Sequence, residues 1–150
     1  MNPADHPSSD SAVTRPSTGP TRRETAVEID EEHRIQARLI RALAALLGEH
    51  GDTAELLVAL VQYSRQHFDG EERAMARYAY PGAAQHCAEH RRLCCELDHL
   101  LALDRSSDAF AASVTRLVSA LRSHVDHTDA RLLGFLRGVA GGAPLQTVID

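Results

Sequence analysis

The amino-acid sequence predicts an all-α protein, an up-down-up-down antiparallel four-helix bundle with a flexible N-terminal tail. Three observations predict it. Apolar residues recur at three- and four-residue spacing in four separate stretches, which is the period of one helix face. No stretch alternates apolar and polar residues with the period of two that a half-buried strand needs. The breaks between the stretches are short and rich in Gly, Pro, Asp and Ser, so consecutive helices lie antiparallel, side by side.

Residues 1–26 are rich in Pro, Ser, Thr and Asp with almost no large apolar side chain, a composition that does not repay its ordering entropy. They read as a disordered tail, followed by the bundle over 27–138 and a C-terminal tail over 139–150. The first helix is expected to start near Asp30, a capping residue, with Glu31 and Glu32 at the positive end of the helix dipole. Ile40, Ala44 and Leu47 continue the face begun by His33, and the segment from Gly48 to Gly51 ends it. Asp52 and Glu55 resemble a capping box for the second helix, whose stripe runs Leu57, Leu60, Ser64, His67, Glu71, Met75. Tyr80-Pro81-Gly82 breaks the chain. The third helix carries His86, His90, Leu93, Leu97 and Leu100 on one face. After the turn Asp104-Arg105-Ser106-Ser107, Ser107 caps a fourth helix bearing Phe110, Val114, Leu117, Leu121, His124, Thr128 and Phe135. Gly138 and Gly141-Gly142-Ala143-Pro144 stop it.

A chain of 150 residues, 43% hydrophobic, is long enough for one core. The net charge of -5 is mild, and all sixteen basic residues are Arg with no run forming a stripe. Nucleic acid is therefore excluded as a partner, because phosphate binding needs a concentrated basic face. No apolar run approaches the roughly 18 to 20 residues of a membrane span, and the start lacks the apolar core of a signal peptide. These features predict a soluble, cytoplasmic protein with no membrane insertion. Cys87, Cys94 and Cys95 match no disulfide framework or zinc ribbon, and read as small half-buried helix residues. Cys94, four residues beyond His90, has a second reading as a redox-active thiol one turn from the histidines.

The chemistry lies in the histidines and carboxylates of the apolar stripes. His67 with Glu71, and His86 with His90, each stand four residues apart, so both members of a pair share a helix face. With His33 upstream and His124 and Asp129 downstream, five imidazoles and two carboxylates come from four helices. That exceeds what one tetrahedral zinc uses and points to a dinuclear centre. Taken singly, a buried histidine is more often a satisfied core residue than a ligand; together, without metal, these groups strand many donors and acceptors. Imidazole and carboxylate without a thiolate set suit iron or manganese. His6 in the tail, His50 in a turn and His99, half a revolution from His90, are not expected to bind. His127 competes with Asp129: five residues turn a helix by about 140° beyond one revolution, so periodicity does not choose between them. Glu32, Glu72 and Asp126 read as solvated or capping charges.

The block from His67 to His90 resembles the heart of the hemerythrin family, especially its bacterial single-domain members. It carries His67-Phe68 followed by Glu71-Glu72, then Met75, Tyr80-Pro81, His86 and His90. Ile29-Asp30-Glu31-Glu32-His33 resembles the family's first-helix motif, and the segment from His124 to Asp129 its His-x4-Asp motif. The likeness covers about residues 27–137. It implies two iron ions, shuttling between Fe2+ and Fe3+, with an oxo or hydroxo bridge. His86, His90 and His124 would hold one iron and His33 and His67 the other, with Glu71 and Asp129 bridging both. The resemblance thus favours Asp129 over His127. Two ferrous ions, two carboxylates and one hydroxide leave one net positive charge in the bundle. The iron on His33 and His67 has the open position where O2 binds in such relatives. Two departures, Ala120 and Leu132 where many relatives carry Trp and Tyr, predict easier access of water, and Glu32 stands where Gln is common.

The resemblance implies a non-enzymatic carrier or store that binds O2 reversibly, with weak peroxidase-like activity at most. The alternative is a sensor or regulatory protein reporting O2, NO or iron redox state. A third reading is a peroxidase or ferroxidase using peroxide or iron at the same site. Ferritin-like enzymes need two Glu-x-x-His motifs, however, and only Glu96-x-x-His99 occurs.

Overall fold

The structure, a computed structural model, describes residues 19–138. Four helical rods form an all-α bundle: α1 (Arg22–Gly48), α2 (Ala54–Arg77), α3 (Ala83–Ala102), and a fourth rod made of α4 (Asp108–Ser123), a π turn (His124–Asp129) and α5 (Ala130–Arg137). Each rod packs on the next, and the fourth closes back onto the first. The expected tails lie largely outside the described residues. Among those residues no helix is long and apolar enough to cross a membrane.

The first helix starts earlier than expected. Thr21 and Glu24 form a reciprocal capping box, the Glu24 amide donating to Thr21 Oγ1 at 3.2 Å and the Thr21 amide to Glu24 Oε2 at 2.7 Å. Residues 22–26 are therefore helix and not tail, held because Thr25, Ala26 and Ile29 are buried. Further along, Gln36 and Leu43 are buried while Ala44 is exposed, so from Ile29 onward the buried positions of α1 recur every seven residues, with His33 and Ile40 half-buried between them. His50 closes the helix in the left-handed region at φ 55°, with the Gly51 amide reaching back to the Leu46 carbonyl at 2.8 Å.

At the start of α2 the expected capping box is absent. Thr53 is the cap residue and makes no side-chain bond; Asp52 instead accepts from the Ala54 amide at 2.9 Å. The expected stripe of α2, Leu57 to Met75, is buried throughout, as is the His86 to Leu100 stripe of α3. Ser107 caps α4 by accepting from the Phe110 amide at 3.1 Å.

The core comes in two apolar halves. The larger gathers Leu43, Leu60, Leu97, Phe110, Leu117 and their neighbours; the smaller gathers Ala26, Ile29, Met75, Leu132, Leu133 and Leu136. Along every rod the histidine and carboxylate positions fall between these halves, so the bundle holds a polar layer sealed above and below by packed side chains.

Candidate metal centre

The polar layer draws on all four rods: His33 from α1, His67 and Glu71 from α2, His86 and His90 from α3, and His124 and Asp129 from the two ends of the π turn. Glu71 and Asp129 have no exposed surface. All five imidazoles turn Nε2 toward these two carboxylates. Each carboxylate divides its oxygens between two sides. Glu71 Oε1 lies 3.6 Å from both His33 and His67, while Oε2 lies 3.3 Å from His86 and 3.1 Å from His90. Asp129 Oδ2 lies 2.9 Å from His33, and Oδ1 lies 3.0 Å from both His86 and His124. Two groups result, His33, His67, Glu71 and Asp129 on one side and Glu71, His86, His90, His124 and Asp129 on the other. Within each, one ligand atom per residue lies within 4.8 Å of all the others.

Of these short contacts His90 Nε2 with Glu71 Oε2, at 3.1 Å, is a hydrogen bond; most of the others leave their polar atoms unpaired. Eight buried side-chain nitrogen and oxygen atoms of the described residues lack a hydrogen-bond partner, and all eight belong to this layer. Seven are the inward Nε2 and carboxylate oxygens; the eighth is His86 Nδ1. Buried groups left this way cost about 1–3 kcal/mol each, a cost that a bound cation would relieve. A cation satisfies nitrogen and oxygen lone pairs at once, and imidazole with carboxylate is a donor set that iron accepts.

Without metal, protons take the cation's place. Burial on its own lowers the pKa of His33 and of His86, but the Asp129 and Glu71 carboxylates outweigh it and raise both to about 9. His124 is also raised, with burial opposing and Asp129 prevailing. Burial pushes the two carboxylates up, and the facing imidazoles, His33, His86 and His90 for Glu71 and His124, His33 and His86 for Asp129, bring both well below the usual range. The histidine pairs thus stabilise the metal-free fold fully below the unfolded-chain value of 6.5, and cease to as pH rises through about 9. A metal must displace those protons. Metal uptake by the metal-free protein near neutral pH is expected to release the protons of His33 and His86, and affinity to climb as pH rises toward 9. Titration in weakly buffered solution with a pH indicator checks this; uptake without acid release contradicts it.

Outward from the layer, three carboxylates hold three imidazoles. Glu32 takes His67 Nδ1 at 2.7 Å, Glu72 takes His90 Nδ1 at 3.0 Å, and Glu89 takes His124 Nδ1 at 3.0 Å. Thr128 donates its hydroxyl to Glu89 at 2.7 Å, fixing that carboxylate. With Nδ1 donating outward, the Nε2 lone pair faces inward, as a metal ligand requires, and the ring becomes a stronger donor. Glu32 and Glu72 are therefore not merely solvated charges, and Glu89 carries a role that its sequence position alone did not suggest. Phe68 adds an apolar cover, stacking on His90 with ring centroids 4.2 Å apart.

The π turn brings Asp129, and not His127, into the polar layer. Its wider winding brings residues five apart onto one face, placing Asp129 beside His124. His127 points outward, exposed, with Nδ1 donating to the Ser123 carbonyl at 2.9 Å. His50 and His99 are likewise exposed and in neither group, while His6 lies outside the described residues. Cys94 is also in neither group. It packs against the larger core half, and burial raises its thiol, leaving it protonated near neutral pH. The two departures do not open the site as expected. Leu132 is fully buried in the smaller core half, and Ala120 lines a groove with Arg92, Glu96 and His99. A cavity of about 230 Å³ between α1 and α4 borders the layer instead, lined by His33, Gln36, Ile40, Leu121 and Val125.

No curated protein and no solved structure matches the chain. A family model does, the Hemerythrin HHE cation binding domain, over residues 25–136. That span runs from the first turns of α1 to the end of α5 and takes in every member of the polar layer. The chain belongs to the hemerythrin family, and its cation-binding domain is this four-rod bundle.

Proposed function

We propose that the polar layer holds two iron ions and that the protein binds O2 reversibly beside His33 and His67. The observation that carries this reading is the division of the Glu71 and Asp129 oxygens between two sides, the disposition that a bridged pair of ions needs. On it, His86, His90 and His124 serve one ion, His33 and His67 the other, and Glu71 and Asp129 both. The iron pair, when bound, supplies the two electrons and the open coordination position that O2 binding uses.

The chain's own residues do the rest. Glu72, Glu89 and Glu32 keep His90, His124 and His67 in the tautomer that presents Nε2. The two-histidine side has one imidazole fewer and lies next to the α1/α4 cavity, so a small ligand arriving there meets His33 first. Phe68 and the core half beyond it keep bulk water from the three-histidine side. Three free cysteines suit a reducing compartment, which supports placement in the cytoplasm.

One observation favours a second reading, a sensor of O2, NO or iron redox state. Carboxylates behind three of the five imidazoles make those rings better donors and favour the oxidised ions, which shortens the life of a reversible complex. One experiment separates the two. The protein is reduced without oxygen, exposed to O2, stripped of it and exposed again while its absorption spectrum is followed. A spectrum that returns over many cycles is the expected result; decay to the oxidised form within the first exposure favours the sensor. Protein that takes up no iron, or a single zinc, overturns both.

A further inference from the structure

The charges of the bundle are divided along its length. Beyond the polar layer, on the side of the smaller core half, stand Arg22, Arg23, Arg73, Arg77, Arg131 and Arg137, all exposed. The acids at that end are Glu24, Glu28 and Asp30, which leaves a balance of three positive charges among the described residues. Nearer the layer, Glu32 and Glu72 are taken up by His67 and His90, and Glu31 by Arg34. The opposite end carries Glu49, Asp52, Glu55, Asp104 and Asp108 against Arg105. A chain of net charge -5 thus presents one positive end.

That end is also aromatic. The Arg22 guanidinium lies 4.0 Å over the Phe135 ring and that of Arg77 lies 5.5 Å over Tyr78. The Phe135 and Tyr80 ring centroids are 5.1 Å apart, and Tyr80 stands edge-on to His86 at 6.4 Å. Tyr80 fits there because residue 82 is Gly, where a Cβ would come within 2.8 Å of the ring. Tyr78, Tyr80 and Phe135 are half-buried, and such rings set among arginines are what protein-binding surfaces are enriched in. The layer lies close to this end and far from the other. Along α3, His86 follows Ala83 by roughly 5 Å of helix, whereas His90 precedes Ala102 by roughly 18 Å.

We propose that the arginine end is the docking surface for an acidic one-electron carrier protein, and that electrons enter the centre there through the contact of Tyr80 with His86. The inference rests on the di-iron reading above and names the partner that returns the oxidised centre to its reduced form. Each encounter oxidises the carrier by one electron and reduces one Fe3+ to Fe2+, so two encounters reduce the pair. An acidic carrier is drawn to the arginine end and repelled by the acidic one, which sets its orientation as well as its rate. Electron tunnelling weakens steeply with distance, so docking is productive at the end with the shorter path.

The test uses the full-length, iron-loaded, oxidised protein with reduced plant-type ferredoxin, an acidic one-electron carrier, as the probe. Reduction is followed by absorption at low salt for wild type, Arg77→Gln, Arg131→Gln and their double variant. Arg105→Gln is the control, removing the same charge from the acidic end. About tenfold slower reduction of the double variant is expected, with Arg105→Gln at the wild-type rate and the difference lost at about 0.5 M salt. Dithionite, which needs no docking, is expected to reduce every variant alike. Calorimetric binding of oxidised ferredoxin, in which no electron passes, is the second readout and is expected to weaken in the same variants. A double variant reduced and bound as wild type is, equal slowing in Arg105→Gln, or wild type that ferredoxin does not reduce overturns the docking surface. Self-association, or binding to phosphatidylserine vesicles, that the double variant loses while keeping the wild-type reduction rate assigns this end to another occupant and overturns it as well. Wild-type protein without two irons overturns the di-iron reading itself, so the two failures are told apart. If Arg77→Gln does not load iron, Arg131→Gln decides alone.

Discussion

Glu71→Ala is expected to leave the protein with at most one iron per chain and to destabilise its metal-free form by about 3–5 kcal/mol, the cost of breaking a buried ion pair from one side. Glu71 is the acceptor common to both halves of the layer, within 3.6 Å of His33, His67, His86 and His90. Removing it leaves Asp129 alone to balance imidazoles that are raised partly on account of Glu71. A domain of this size loses about 2–4 °C in Tm per kcal/mol, so melting should fall by roughly 10 °C. Glu71→Gln keeps the volume and removes the charge, and separates the two effects: iron is lost in both variants, while the cavity penalty belongs to the alanine alone. Iron content and calorimetry check this. Two irons per chain in Glu71→Ala would remove Glu71 from the centre.

The parts of this site that are legible in the sequence are those that obey the regular helix. His67 with Glu71 and His86 with His90 stand four apart on apolar stripes, and α2 and α3 bury them as the spacing predicts. The stripes of the first and fourth rods are harder. In α1 a buried glutamine interrupts the apolar pattern, so reading the face from leucines and alanines alone substitutes Ala44 for Leu43. The helix start is written in Thr21 and Glu24, but the polar residues around them carry the composition of a tail. Docking of Ala26 and Ile29 against Met75 and Leu136 is a tertiary contact that local propensity does not contain.

The supporting carboxylates follow a rule that spacing along one helix cannot reveal. Glu32, Glu72 and Glu89 each adjoin a member of the layer in sequence, His33, Glu71 and His90, and each reaches an imidazole on a neighbouring rod. A residue beside a buried position sits about 100° around the helix, at the seam with the next rod. From the sequence such a residue looks like any other half-exposed charge. Its role becomes visible only when the rods are placed side by side.

Exchanging Thr128 and Asp129, by the double substitution Thr128→Asp and Asp129→Thr, is expected to abolish iron binding although no functional group leaves the chain. In a regular helix the exchange would be harmless or helpful, because a carboxylate four residues after His124 would share its face. The π turn makes position 129 the inward one, and position 128 supports Glu89 from the side. The turn cannot unwind to rescue the exchange. Losing its extra residue by slippage would rotate α5 by about 100°, and Leu132, Leu133 and Leu136, now buried, would leave the smaller core half. Each such leucine contributes about 1.5–3 kcal/mol, so register is held by apolar packing and the metal layer must accept the turn that results. Deleting His127 makes the complementary test. It removes one exposed residue from the π turn, restores a four-residue spacing between His124 and the carboxylate, and leaves α5 in register. That variant is expected to keep its iron and to melt no lower than wild type. Iron retained after the exchange, or lost on deletion of His127, would show that the extra residue does not set the position of Asp129.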